Sequence, residues 1–243
     1  MPMERESSTE ITVVVPAWNE AADIDATVST LRDALAELGR PSELLVVDDA
    51  SDDATARLAA NAGATVLSVK KRQIAAVRNA GAAVTDGRFL IFVDADTIVP
   101  SETLRELLRA VEDGAAIAGP RVEMPGVRSF FNRVWTWILL RALAYFGVLP
   151  GCCLAMRREI FDAVGGFDEQ WFASEELWLV KSIRALGRGP VVRIKAPVYT
   201  SPRKANAVGP WRLLWQTISI GVSGPRRWRD RSRLRFWYQR DSH

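Results

Sequence analysis

Cysteine is scarce: the 243 residues hold two, and they are neighbours, Cys152 and Cys153. Adjacent cysteines cannot staple distant segments together, so the chain has no disulfide framework and no four-thiolate zinc site. The N-terminus, MPMERESSTE, lacks the apolar core of a secretory signal. Both features lead to the expectation of a reducing, cytoplasmic compartment. Long apolar runs are missing too. The most apolar stretch, Ser129–Phe146, is interrupted by Arg133 and Arg141, well short of the ~20 uninterrupted residues that a spanning helix needs. It is expected either as a buried helix or as one lying on a membrane surface. Finally, the segment PAWNEAAD after the first apolar run contains no glycine, and no GxGxxG follows a strand. This disfavours a glycine-rich triphosphate cradle and a dinucleotide fingerprint.

What is present is ordinary globular material, with 48% hydrophobic and 25% charged residues. That composition excludes a disordered or fibrous chain. The length suits one large domain or two small ones. The net charge of +3 hides an asymmetry: positions 224–243 carry seven arginines against Asp230 and Asp241, 7 − 2 = +5, leaving −2 on the rest. A near-neutral body argues against a general nucleic-acid binder. The tail interleaves arginine with Trp228, Phe236, Trp237 and Tyr238. That mixture fits an anionic membrane surface, and equally a helix packing its rings on the body with its arginines solvated.

Along the first half, short apolar β-branched runs alternate with segments of helical periodicity. Strands are expected at 11–15, 44–47, 64–69, 88–93 and 115–118, with helices at 21–38, 73–85 and 101–113 between them. Ser51 is expected to cap a further helix, with Asp52 and Asp53 in its first turn. Such alternation predicts an α/β fold, a mostly parallel sheet with helices on both faces. The second half is less regular, with strands expected at 152–156 and 191–194 and helices at 158–164, 175–186 and 210–222.

In a parallel sheet, ligands sit beyond the carboxyl ends of the strands. Three of these ends are polar: Pro16 to Glu20, Asp48-Asp49, and Asp94-Ala95-Asp96. Carboxylates gathered along one rim raise one another's pKa unless a cation compensates. Oxygen-only ligation selects Mg²⁺ or Mn²⁺, which complete their shells with water and substrate phosphates. Asp52 and Asp53 are explained as helix-start acids, but two acids straight after a buried strand bring no packing benefit.

PAWNE at 16–20, DDASDD at 48–53, VRNAG at 77–81 and DAD at 94–96 resemble the successive motifs of the family 2 glycosyltransferases. RREIFDAVGGFDE at 157–169 and SEELWLVKSIRALG at 174–187 resemble that family's acceptor-side signature. The likeness covers about residues 11–195, in order. It implies a GT-A fold, spanning 1–223 as one domain with a nucleotide half (11–119) and an acceptor half (120–223). It further implies non-processive transfer of a sugar from a nucleoside-diphosphate donor, a UDP-sugar by expectation, with inversion. Carried onto this chain, Pro16 and Asn19 flank the base pocket, Glu20 is counted with the donor-binding residues, and Asp49 accepts a nucleobase N–H. Arg78 lies near the diphosphate, Asp94 holds ribose or donor sugar, Asp96 ligates Mn²⁺ or Mg²⁺, and Gly151 and Cys152 stand beside the donor sugar.

The inverting base is expected in the pair Glu175-Glu176, where the family has Glu-Asp. Helical spacing puts Glu176 on the face of Leu179, Val180 and Ile183, with Glu175 a quarter turn away. Acids at a helix start also occur for electrostatic reasons alone. The late histidine that completes many GT-A metal shells has no counterpart, because the one histidine is His243. Arg203 and Lys204 could instead neutralise the departing diphosphate, or belong to a solvated loop. The Glu-for-Asp change keeps open a degenerate module that binds nucleotide sugar without turnover. The expected acceptor is a saccharide or a lipid-linked hydroxyl, with a GDP-mannose donor as the alternative for the latter. No nucleic acid is expected as a partner.

Overall fold

The computed structural model describes residues 9–145, 148–172, 174–203 and 206. The helix expected at 210–222, the tail at 224–243 and Lys204 lie outside them. In chain order the elements begin β1 (Ile11–Ala17), α1 (Ile24–Leu38), β2 (Ser42–Asp48), α2 (Thr55–Asn61), β3 (Thr65–Ser68) and α3 (Ile74–Ala83). They continue β4 (Phe89–Val93), β5 (Thr97–Ile98), α4 (Ser101–Glu112), β6 (Ile117–Glu123) and α5 (Phe130–Tyr145). The last four are β7 (Cys153–Arg157), α6 (Arg158–Ala163), α7 (Glu175–Leu186) and β8 (Val191–Thr200).

One eight-stranded sheet runs in the order β3-β2-β1-β4-β7-β6-β8-β5. The interior strands are apolar on both faces because both faces are covered. Val13 and Val15 of β1, with Ile91 and Val93 of β4, join α1 and α4 in one core. Val14, Leu90 and Phe92 join α3, α6 and α7 in the other. Helices therefore flank both faces, as the alternation predicts. Pairing is parallel across β3, β2, β1 and β4 and between β6 and β8, and antiparallel where β7 enters between β4 and β6.

That antiparallel insertion builds the site. The parallel strands β1, β2 and β4 end at one edge, where Ala17 pairs with Asp48. β7 begins at the same edge, Cys153 opposite Val93, and the Asp94 N–H donates to the Cys152 carbonyl at 2.9 Å. Gly151 and Cys152 thereby meet the DAD motif. β5, too short to be read from sequence, pairs Thr97 with Thr200 and brings the end of β8 alongside.

Two expectations are corrected. Helix α2 starts at Thr55, so Ser51 is not its cap. The Ser51 hydroxyl instead accepts the Asn19 N–H at 3.0 Å, and Asp53 accepts the Thr55 N–H at 2.9 Å. β8 runs six residues past its expected end because its register with β6 shifts between Gly119 and Arg121, opposite Pro197. Pairing resumes at Pro197 after the irregularity, which a bulge accommodates.

Candidate active site

The loops after β1 and β2 are stitched to each other. Besides the Asn19–Ser51 bond, the Asn19 side-chain oxygen accepts the Asp52 N–H at 2.8 Å, and the Glu20 N–H donates to the Thr55 hydroxyl at 2.8 Å. Asn19 and Ala50 sit at φ 53° and 54°, left-handed positions held by this network. Asp49 is buried; its N–H donates to the Ala17 carbonyl at 2.8 Å and its carboxylate accepts the Lys71 N–H at 2.6 Å. The Arg72 guanidinium lies 5.1 Å from the Trp18 ring, beside the same loop. Pro16, Asn19, Glu20 and Asp49 are thus neighbours at the β1–β2 edge.

Arg78 is the hub of the second group. Gly81, one turn further along α3, allows the helix to press on the sheet: a Cβ there would stand 2.5 Å from Val14 Cγ1. Arg78 shares that inward face and is 1% exposed. Its Nη1 donates to Glu175 at 2.7 Å, and its Nη2 donates to Asp94 at 2.7 Å and to the Gly151 carbonyl at 3.0 Å. The Phe167 ring packs under the guanidinium at 5.1 Å. Burial alone would lower the Arg78 pKa, but Asp94 and Glu175 outweigh it and hold the group above the ordinary arginine value. Arg78 therefore sits beneath the rim as a permanent cation bonded to three of the site's elements.

The neighbouring residue Asn79 holds the opposite flank. Its amide nitrogen donates to the Phe167 carbonyl at 2.8 Å and its oxygen accepts the Phe167 N–H at 2.9 Å. Gln73 donates to the Trp171 carbonyl at 3.1 Å. Helix α3 is therefore the clamp that fixes the segment leading into α7.

On α7 the expected orientation is reversed. Glu175 is the buried residue, 6% exposed, drawn inward by its ion pair with Arg78. Glu176 is half-buried, and its carboxyl lies over Gly151: a Cβ on that glycine would come 3.1 Å from Glu176 Cδ. Burial first, then the charge of Glu175, push the Glu176 pKa up to about 8, against a smaller opposing pull from Arg78. The two adjacent carboxyls thus differ in character. One is locked in a salt bridge, and the other favours holding a proton.

The metal question turns on the donor set. Among the described residues no group of three or more His, Cys, Asp or Glu could hold an ion. Asp96 is buried between β4 and β5, with its backbone carbonyl accepting the Ser201 N–H at 2.9 Å. Asp94 is committed on one side to Arg78. A single hard carboxylate fits Mg²⁺ or Mn²⁺ when a diphosphate supplies further oxygens, and does not preassemble a cage. Burial, then the charge of Asp94, push the Cys152 thiol up to about 12. Arg203 pairs with Glu20 and, at 3.2 Å, with Asp23. A separate cavity of about 470 Å³, lined by Asn79, Gly166, Asp168, Glu169, Trp178 and Ser182, includes none of the candidate residues.

Sequence reasoning missed the contact of Arg72 with Trp18, and the ion pairs of Arg78 and Arg203. No local pattern announces pairs 97 or 183 residues apart. The one available signal was the run of small residues around Arg78 in VRNAG, which marks a helix pressed against its neighbour.

Comparison with known proteins bears on the fold and the family. The chain is 28% identical over 171 residues to an undecaprenyl-phosphate 4-deoxy-4-formamido-L-arabinose transferase of Klebsiella pneumoniae, covering 64% of this chain and 51% of that protein. It is 27% identical over 166 residues to a dolichol-phosphate mannosyltransferase of Pyrococcus furiosus, covering 65% and 45%. It spans about half the length of these curated relatives. Among solved structures it superposes on a mannosyltransferase from Pyrobaculum calidifontis in complex with GDP-Man and Mn²⁺, with a TM-score of 0.61 at 20% identity, over 80% of this chain and 59% of that one. This last likeness is one of fold, and it is the GT-A fold that the motifs imply. Glycosyl transferase family 2 matches residues 12–165, more than half of the sequence, and the chain belongs to that family.

Proposed function

We propose that the chain transfers a sugar from a nucleoside-diphosphate donor to an acceptor hydroxyl with inversion, using Glu176 as the base. Asp49, oriented by the Lys71 N–H, accepts a nucleobase N–H beside Trp18 and Arg72. Asp94, fixed by Arg78 yet with 31% of its side chain exposed, faces the ribose or the donor sugar. Asp96 would hold a Mg²⁺ or Mn²⁺ ion, which when bound would supply charge neutralisation for the leaving group. The cationic side chain of Arg203 and its neighbour Lys204 stand as further candidates for that charge.

The acceptor hydroxyl attacks the anomeric carbon, the bond to the diphosphate oxygen breaks, and the hydroxyl proton passes to Glu176. A raised proton affinity suits this step, because a base is most useful when its pKa lies near the working pH. The observation that carries the reading is the chain of contacts Asp94–Arg78–Glu175, which sets Glu176 over Gly151 beside the donor rim. Glycine at 151 leaves room for the methylene by which glutamate exceeds aspartate, so the change from the family pattern is accommodated. The lipid-phosphate substrates in the names of the bacterial and archaeal relatives support a lipid-linked acceptor here as well.

The test is Glu176→Gln beside Glu175→Gln. Glu176→Gln is expected to lower transfer by about 10²–10⁴ while UDP or GDP binding stays near wild type. Transfer by Glu176→Gln within a few-fold of wild type would overturn the assignment.

A further inference from the structure

Among the described residues, helix α5 carries the largest run of exposed apolar side chains. Phe130, Val134, Trp137 and Ile138 recur at the spacing of a single helical stripe, and they are 72%, 38%, 59% and 45% exposed. The inward side is marked by Asn132, which is buried. Soluble surfaces scatter large apolar residues singly; a continuous stripe with two aromatic anchors signals a partner. The flanks of the stripe are cationic. Arg133 lies 5.4 Å from the Phe130 ring and Arg141 5.1 Å from the Trp137 ring, both on exposed side chains. From position 124 to 158 the sequence contains no Asp or Glu, but holds Arg128, Arg133, Arg141, Arg157 and Arg158.

We infer that α5 docks on an anionic lipid surface, lying in its plane with Phe130, Val134, Trp137 and Ile138 buried among the acyl chains. The geometry fits lying rather than spanning, since no helix among the described residues is long and apolar enough to cross a membrane. Aromatic rings settle at the interface, and the arginines beside them meet phosphate head groups while keeping their cation–π contacts. The helix is also close to the candidate site along the chain. α5 ends at Tyr145, and Gly151, beneath Glu176, follows within the same connection. Leu149 in that connection is held against β6, because Gly119 offers no Cβ where one would come 3.3 Å from Leu149 Cβ. A docked α5 would present the acceptor side of the site to lipid; that purpose rests on the sugar-transfer reading, whereas the docking itself does not.

Flotation of the full chain with vesicles of equal parts phosphatidylglycerol and phosphatidylcholine, and with phosphatidylcholine alone, tests the inference. The anionic vesicles are expected to retain about tenfold more protein, and added salt to reduce the difference. Phe130→Glu with Trp137→Glu is expected to abolish retention while leaving nucleotide binding and donor turnover in vesicle-free buffer unchanged, since neither residue touches the rim. Retention that survives this double substitution, or that never occurs, overturns the inference. So does vesicle-free self-association that the double substitution removes, which would make the face a contact between copies. Turnover without vesicle binding would sink the docking surface alone, and vesicle binding without turnover would sink the sugar-transfer reading alone.

Discussion

Glu176 and Glu175 stand next to each other in sequence and do opposite things, because one faces a buried guanidinium and the other faces a glycine. With Arg78 paired to Glu175 and Asp94, little positive charge remains to hold Glu176 ionised. Two consequences run in opposite directions with pH. A raised carboxyl pKa contributes stability that is full below the ordinary value of 4.5 and is lost as pH rises through about 8. The donor-free protein is therefore expected to unfold at progressively lower temperature across that window, and Glu176→Gln to flatten the profile. A base must be ionised to act, so kcat/KM is expected to rise over the same window and level off above it. Measuring both profiles on one preparation checks the sign of each. Gly151 gives the steric counterpart: an added Cβ would meet Glu176 atoms at 3.1–3.3 Å, the far end of a flexible side chain. Gly151→Ala is expected to displace the carboxyl and cut turnover about tenfold or more, while the unfolding temperature scarcely moves.

Among the elements, α3 carries the most. Its small residues press it on β1 and β2, and its polar residues Gln73, Arg78 and Asn79 reach across to the segment before α7. Gly81→Ala would put a methyl 2.5 Å from Val14 and 2.8 Å from Val47 in the sheet. A loss of about 1–3 kcal/mol is expected from this overpacking, measurable by urea unfolding. Turnover should fall with it, because lifting α3 moves Arg78. Most elements were legible in the sequence: buried strands of Val, Ile and Leu, a helix between each, and acids at the strand ends. What escaped had physical causes. β5 is two residues long, β8 continues past a bulge, and α2 starts late because Ser51 and Asp53 bond to the neighbouring loop rather than to their own helix. The carboxylate rim was legible too, but its compensation was not. The sequence suggested a metal as the compensating cation, whereas Arg78, from a different motif, pairs with Asp94 of the rim and with Glu175 within the protein.

At the scale of the whole molecule, an antiparallel strand inserted beside a parallel set gathers the candidate residues at one edge, since β7 starts where β1, β2 and β4 end. Donor groups come from the parallel half, and Gly151 with the Glu176 helix from the other. Arg78 spans the seam with one side chain. On the proposed reading the nucleotide lies on the first half and the acceptor on the second, and Asp96 is the carboxylate proposed for an ion that arrives with the diphosphate. The most direct measurement is release of UDP or GDP from the corresponding nucleotide sugars with Mn²⁺ present, wild type beside Asp96→Ala. Slow release by the wild type and none by Asp96→Ala, at an unchanged unfolding temperature, is the result expected. Equal release by the two, or no release by a folded wild type from any nucleotide sugar, would contradict the account.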